Sequence, residues 1–149
     1  MEEKKQEYLL KSVGHIINPI KNIQEMPVLG VKSSIEIDSI LYDGLIGLEE
    51  YSHIVVLGFL HKMPKQSLDK LRNFPSGNNE LPEQGIFALR GQRVNPISFN
   101  VCKIDKIANG IIEVDKIDLI SGTPVLDLKP YIPYYDTPHN VKMPTWVQE

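Results

Sequence analysis

The stretch ISFNVCKIDKIANGIIEVDKIDLI, residues 97–120, decides the fold. Ile97–Ile107 and Ile111–Ile120 are both rich in β-branched residues, and Ala108-Asn109-Gly110 lies between them. Asn-Gly readily takes the two positive-φ positions of a tight hairpin turn, so the segment predicts two antiparallel strands joined there. In the second strand Ile112, Val114 and Lys116 alternate against Glu113 and Asp115, after which the pattern becomes less regular. A period of two turns one face toward a core and the other away from it.

Working outward, YLLKSVGHII (8–17) and PVLGVKSSIEI (27–37) are also short, β-branched and bounded by Pro, Gly or Asn. HIVVLGFLH (53–61) is the longest uncharged apolar run. Its near-continuous hydrophobicity predicts a strand covered on both faces, and it is too short to cross a bilayer as a helix. Helical signals are weaker. SILYDGLIGLEEY (39–51) predicts one or two turns broken at Gly44 and Gly47, and KQSLDKLRNF (65–74) predicts a short amphipathic helix. FPSGNNELPEQG (74–85) reads as a mobile surface loop. The expected class is therefore mainly β (α+β), built from antiparallel strands with a few short helices.

A length of 149 residues suits a single domain spanning 1–149, and no linker or repeat divides it. The N-terminal MEEKKQEYLL has no apolar export core, and Cys102, the single cysteine, cannot form an intramolecular disulfide. A cytoplasmic protein without a membrane span is expected. The formal charge of −3 argues against a protein that coats nucleic acid, yet the charges are unevenly spread. Residues 51–106 carry eight Lys/Arg against four Asp/Glu, whereas 1–50 carry five against nine. The middle third thus offers either one basic face for an anionic partner or scattered, solvated lysines.

Several chemistries lack their signatures. There is no GxGxxG, no GxxxxGK[ST] and no G-x-S-x-G. The four histidines show no metal-ligand spacing, so no metal site is expected. Cys102 falls inside a predicted strand and reads as a buried, inert thiol. What remains is polar groups at loop edges. His61-Lys62 follows the apolar run, Arg90 and Arg93 precede Asn95-Pro96, and LISGTPVLDLKPYIP occupies 119–133. In extended geometry Asp127, Lys129 and Tyr131 share one face. An acid, a cation and a phenol together can move a proton or bind a zwitterion; equally, they can form an ordinary ion pair beside a packed tyrosine.

Three blocks, YDGLIGLEEYSHIVVLGFLHK, GIFALRGQRVNPISFN and IDLISGTPVLDLKPYIPYYD, stand in order across Val13 to Asp136. In this the chain resembles the TsaA-like (YaeB-like) family, whose characterised bacterial members are S-adenosylmethionine-dependent tRNA methyltransferases. The resemblance implies a small antiparallel β-barrel, a homodimer with the cofactor near its interface, and methylation of N6 of threonylcarbamoyl-adenosine at tRNA position 37, in the anticodon loop. It also implies that the second, C-terminal domain of longer bacterial members is absent here. For cofactor contacts it points to Pro27, Val28 and Leu29, to His61 and Lys62, to Arg90, to Phe99, and to Lys116, Ile117, Asp118 and Leu119.

The chain departs from the family pattern in two places. Where the family reads close to T-R-S-P-x-R-P-N-P-I-G, this chain has RGQRVNPIS, one residue shorter, so Arg90 or Arg93 takes the cofactor-facing place. Where the family has D-G-T-P, it has Ser121-Gly122-Thr123-Pro124. A direct displacement needs alignment more than covalent chemistry, and Asp127 is the candidate base, with Lys129 and Tyr131 orienting the substrate. The alternatives are a module that binds S-adenosylmethionine without transferring its methyl group to tRNA, and a methyltransferase for another substrate.

Overall fold

A computed structural model describes residues 5–64 and 69–147. Its strands are β1 (Gly14–Ile17), β2 (Val31–Ile37), β3 (His53–Phe59), β4 (Arg72–Asn73), β5 (Gln84–Gly85), β6 (Ile97–Ala108), β7 (Ile111–Ile117) and β8 (Pro124–Pro130). One short helix, α1 (Pro133–Asp136), and several 3-10 turns connect or follow them. Six strands close an antiparallel barrel in the order β1-β2-β7-β6-β3-β8, while β4 and β5 form a separate small ribbon. Each barrel strand sends at least one side chain to a common core: Ile16, Ile35, Ile54, Cys102, Ile112 and Val125 are all buried there. The expected small antiparallel barrel with few helices is what the chain forms.

The predicted hairpin forms at the expected turn. Asn109 and Gly110 have φ of 53° and 74°, the positive values that a two-residue turn requires. From the turn, Ala108 pairs with Ile111, Ile107 with Ile112 and Ile104 with Val114, with a register shift between Ile104 and Lys106. The ring of Tyr42 packs directly on Gly110, tying the 3-10 segment Ser39–Leu45 to the turn.

Element ends differ from the sequence expectation for identifiable reasons. The first strand begins at Gly14, and Tyr8, Leu9 and Leu10 before it are exposed. The second begins at Val31 because Pro27–Gly30 forms a turn in which Gly30 N–H donates to the Pro27 carbonyl at 2.9 Å. Gly30 has φ of 82° and its Cα touches the Ile117–Asp118 peptide, an approach that no side chain would permit. The 3-10 turn runs through Gly44 to Leu45 and a second, Leu48–Glu50, starts after Gly47, so of the two expected breaks only the one at Gly47 falls between turns. Residues 65–68 of the expected helix lie outside the described residues; the remainder is not helical, and Arg72–Asn73 pairs instead with Gln84–Gly85. Most of 74–85 is exposed and carries one 3-10 turn, Pro75–Gly77.

The other end of the β6–β7 pair positions the site. β6 pairs with β3 over its whole N-terminal half, from Ile97–Phe59 to Lys103–His53. β7 follows β2 out to Ile117–Val31. The two strands pair with each other no further than Ile104 and Val114, so beyond that point their edges part and the wall opens.

Candidate functional site

A cleft of about 1070 Å³ lies where the strands part. One wall is Ile97–Val101 of β6, the opposite wall is Asp118–Ile120 beyond β7, and the rim carries Lys21–Gln24, Leu60–Met63 and residues of the 87–93 loop. A second cavity of about 370 Å³ opens alongside and is lined by Val28, Leu29, His53, Lys103 and Asp115–Asp118. The two share Asn100, Val101 and Asp118.

The back wall is held by short polar ties that follow from irregular backbone beside the strands. Asn18, just after β1, donates from Nδ2 to the Leu119 carbonyl at 2.8 Å and to Ser33 Oγ at 3.0 Å, and its Oδ1 accepts from Ile20 N–H at 2.9 Å. Ser121 N–H donates to the Ile20 carbonyl at 2.8 Å, and buried Thr123 Oγ1 donates to the Ile120 carbonyl at 2.6 Å. Gly58 packs behind the wall residues Ser98 and Leu119. A Cβ there would come within 2.6 Å of Ser98 Oγ and 3.0 Å of Leu119 Cδ1.

The loop that carries both arginines assigns them different tasks. Arg93 is half-buried and donates from Nη1 to the Leu89 carbonyl at 2.6 Å and the Ile86 carbonyl at 3.3 Å, with its guanidinium 5.7 Å from the Phe87 ring. It staples its own loop. Arg90 is exposed, lies 5.9 Å from the Phe99 ring and donates once, to the Phe99 carbonyl at 3.2 Å. A guanidinium has five donors in a fixed fork, so Arg90 keeps several of them for a ligand. Gln92 Nε2 donates to the Pro64 carbonyl at 3.2 Å and ties this loop to the His61–Met63 rim.

The cleft gathers Lys21, Lys62, Arg90 and Arg93 around one acid, Asp118, so its field favours an anionic ligand. Part of the basic middle third is therefore spatially clustered, and Lys103 joins it at the second cavity. Lys106 lies at the zipped end of β6 and Arg72 on β4, both away from the cleft. Cys102 lies under the opening, and burial, then the nearby Asp115 and Asp118 carboxylates, push its thiol up to about 12. It is a protonated core residue at neutral pH, without nucleophilic character. Among the described residues no group of three or more His, Cys, Asp and Glu could hold a metal ion.

The sequence-derived candidates fall into three places. His61, Lys62, Arg90, Arg93, Phe99, Asp118 and Leu119 meet at the cleft; Val28, Leu29, Lys116 and Ile117 line the second cavity with Asp118; Pro27 starts the turn beside it and lines neither. Asp127, Lys129 and Tyr131 line neither cavity. Lys129 Nζ is 3.0 Å from Asp127 Oδ2 on the outer face of β8, and both side chains are about half exposed, at 62% and 48%. The Tyr131 hydroxyl bonds Thr137 Oγ1 at 2.6 Å and its ring tilts against His53 at 6.4 Å. Sequence reasoning missed Asn18 and Asn100. For Asn100 a signal existed: it stands two residues before Cys102 on the inward row of a strand, where a polar side chain is out of place.

Residues 18–137 match the family model described as the tRNA-methyltransferase O N-terminal domain. The chain belongs to this family. Among similar proteins, human tRNA (adenine(37)-N6)-methyltransferase is 41% identical over 101 residues, which are 67% of this chain and 22% of that protein. An S-adenosyl-L-methionine-binding protein of Archaeoglobus fulgidus is 36% identical over 133 residues, covering 86% of this chain and 92% of the relative. The crystal structure of TrmO from Pseudomonas aeruginosa superposes with a TM-score of 0.74 at 26% identity, covering 92% of this chain and 61% of that one. The chain thus spans about a fifth of the human relative and about three fifths of the TrmO chain.

Proposed function

We propose that the protein is an S-adenosylmethionine-dependent methyltransferase that acts on N6 of adenosine 37 in tRNA, with threonylcarbamoyl-adenosine as the acceptor. The observation that carries this reading is the parting of β6 from β7, which assembles residues from widely separated segments of the chain into one elongated, mostly basic opening. The donor set fits the cofactor. Arg90 offers free guanidinium donors to a carboxylate, Phe99 and Asp118 suit the surroundings of a sulfonium, and the exposed side chains of Val28 and Leu29 suit an adenine ring. When bound, the cofactor supplies a methyl group already activated by positive sulfur, so no covalent intermediate on the protein is needed. The chain's own work is alignment and proton handling. Arg90, His61 and Lys62 anchor one end, the Phe99–Asp118 walls restrict the middle, and the cations at the rim receive RNA phosphates.

The same reading includes a homodimer in the cytoplasm. On the outer face of the barrel Phe59 lies opposite Ile97, Leu57 opposite Phe99 and Val55 opposite Val101, an apolar band of which Ile97, Phe99 and Val101 are exposed. Asp127 lies beside Leu57 and Lys129 beside Val55, at the margin of that band. A second copy packed on the band brings its own Asp127, Lys129 and Tyr131 to the rim of this cleft, which Ile97, Phe99 and Val101 also line. There Asp127 accepts the N6 proton while Lys129 and Tyr131 orient the substrate.

Calorimetric titration with S-adenosylmethionine, followed by incubation with labelled cofactor and tRNA from cells lacking the modification, tests the reading. Label in adenosine 37 is expected, and it should be abolished by Val101→Glu together with the loss of dimer in sedimentation. Binding without transfer to any tRNA would leave only a cofactor-binding domain, for which the outward position of the Asp127–Lys129 pair already argues. No binding at all would refute the proposal.

A further inference from the structure

At the waist between the two cavities, Asn100 Nδ2 donates to Asp118 Oδ1 at 2.7 Å, a bond that crosses the gap between the parted strands. Because a carboxylate accepts only, the amide orientation is fixed: Nδ2 faces Asp118 and Oδ1 faces away. That Oδ1 is buried and has no hydrogen-bond partner, the single such side-chain atom among the described residues. A buried acceptor without a partner is a standing cost to the fold. Leucine would fill the same inward position without that cost, so the distinguishing property of Asn100 is what its other end does. What it does is hold Asp118, which is exposed, lines both cavities and makes no other hydrogen bond among the described residues.

The ligand class follows from the position. Anchors for an anionic amino-acid end, Arg90, His61 and Lys62, lie on the larger side of the waist; on the other lies the smaller cavity, where the exposed side chains of Val28 and Leu29 stand beside His53 and polar groups that can meet a purine's face and edge. In an adenosyl amino acid the ribose stands between those two ends, and its vicinal hydroxyls are donors that a carboxylate accepts. We propose that Asn100 is a positioning residue that fixes the Asp118 carboxylate at the waist of the cleft to bind the ribose diol of the cofactor. This rests on the cofactor assignment made under Proposed function.

The test is calorimetric affinity for S-adenosylhomocysteine and for its 2′-deoxy and 3′-deoxy analogues, with wild type, Asn100→Leu and Asn100→Ala, alongside thermal unfolding of each. Asn100→Leu is expected to keep or raise the unfolding midpoint, since it removes the orphaned acceptor, while weakening S-adenosylhomocysteine about tenfold. The loss should shrink to about twofold or less for at least one deoxy analogue, because the contact is already missing from that ligand. A merely structural role would lower the midpoint and weaken all three ligands equally. Equal weakening of all three, or no weakening of the parent by either variant, overturns the proposal while leaving the cofactor assignment intact. Failure of wild type to bind S-adenosylhomocysteine and S-adenosylmethionine overturns both.

Discussion

The two ends of one strand pair behave oppositely. Near Asn109-Gly110, β6 and β7 are laddered, their inward side chains are buried and Tyr42 closes over the turn. At the far end the same strands have exchanged each other for β3 and β2, and the space between them is the cleft. The closed end has its polar backbone satisfied locally and its apolar groups packed. The open end has an orphaned amide oxygen, an underused arginine and a row of exposed apolar side chains. The pair is laddered and capped at one end and keeps polar and apolar groups uncovered at the other, the pattern expected where a surface keeps groups unsatisfied until a partner arrives.

If that division is real, substitutions at the two ends should change different measurements. Ile112→Ala, at the closed end and fully buried, is expected to cost about 2–5 kcal/mol in urea unfolding, with little change in cofactor affinity for the molecules that remain folded. Arg90→Ala, at the open end, should do the reverse. It should remove about 1.5–3 kcal/mol of cofactor binding, by calorimetry, at nearly constant unfolding free energy. Arg93→Ala sharpens the point: because its donors close the 86–93 loop, it should lower stability as well as affinity, and equal behaviour of the two variants would break the distinction between them.

Gly110→Val, which needs an unfavourable positive φ and displaces Tyr42, should cost about 1–3 kcal/mol of stability without loss of binding. The smallest effect concerns Cys102 between the two ends. Its thiol is raised from an ordinary 9.0 to about 12 in the folded chain. Stability is therefore retained below pH 9 and lost as pH rises toward 12, since the unfolded chain ionises first. Cys102→Ala should flatten that part of the stability profile, measured by unfolding at fixed pH steps. An unchanged slope would show the thiol to be solvated.

Much of the closed end could be read along the chain. Asn109-Gly110 marks its turn and Ile112 and Val114 mark the inward face, because turn chemistry and period-two burial act between residues close in sequence. HIVVLGFL marks a strand apolar and covered on both faces, and so it is: Ile54 and Val56 sit in the core, while on the other face Val55 is buried and Leu57 and Phe59 are half-buried. The open end was legible only in part. His61, Lys62 and Arg90 stand out as polar groups at loop edges, Phe99 and Asp118 only through matching family blocks, and nothing in their spacing shows that they meet. The 65–74 segment misled because its amphipathic pattern carried no information on the pairing of Arg72–Asn73 with Gln84–Gly85. Asn18 was passed over because an Asn before Pro is ordinary in a loop, and only the folded chain brings it to Leu119.

By itself the sequence determined that the chain forms short antiparallel strands, where its tightest turn lies, and that cations concentrate in its middle third. These are local matters of backbone preference, alternation and composition. The tertiary structure alone decided that β6 and β7 separate beyond Ile104 and Val114, that Arg93 is consumed by its own loop while Arg90 is not, and that Asn100 faces Asp118 across the gap. Each depends on which strand edge wins a partner when the barrel closes, a competition among segments tens of residues apart that no local pattern encodes.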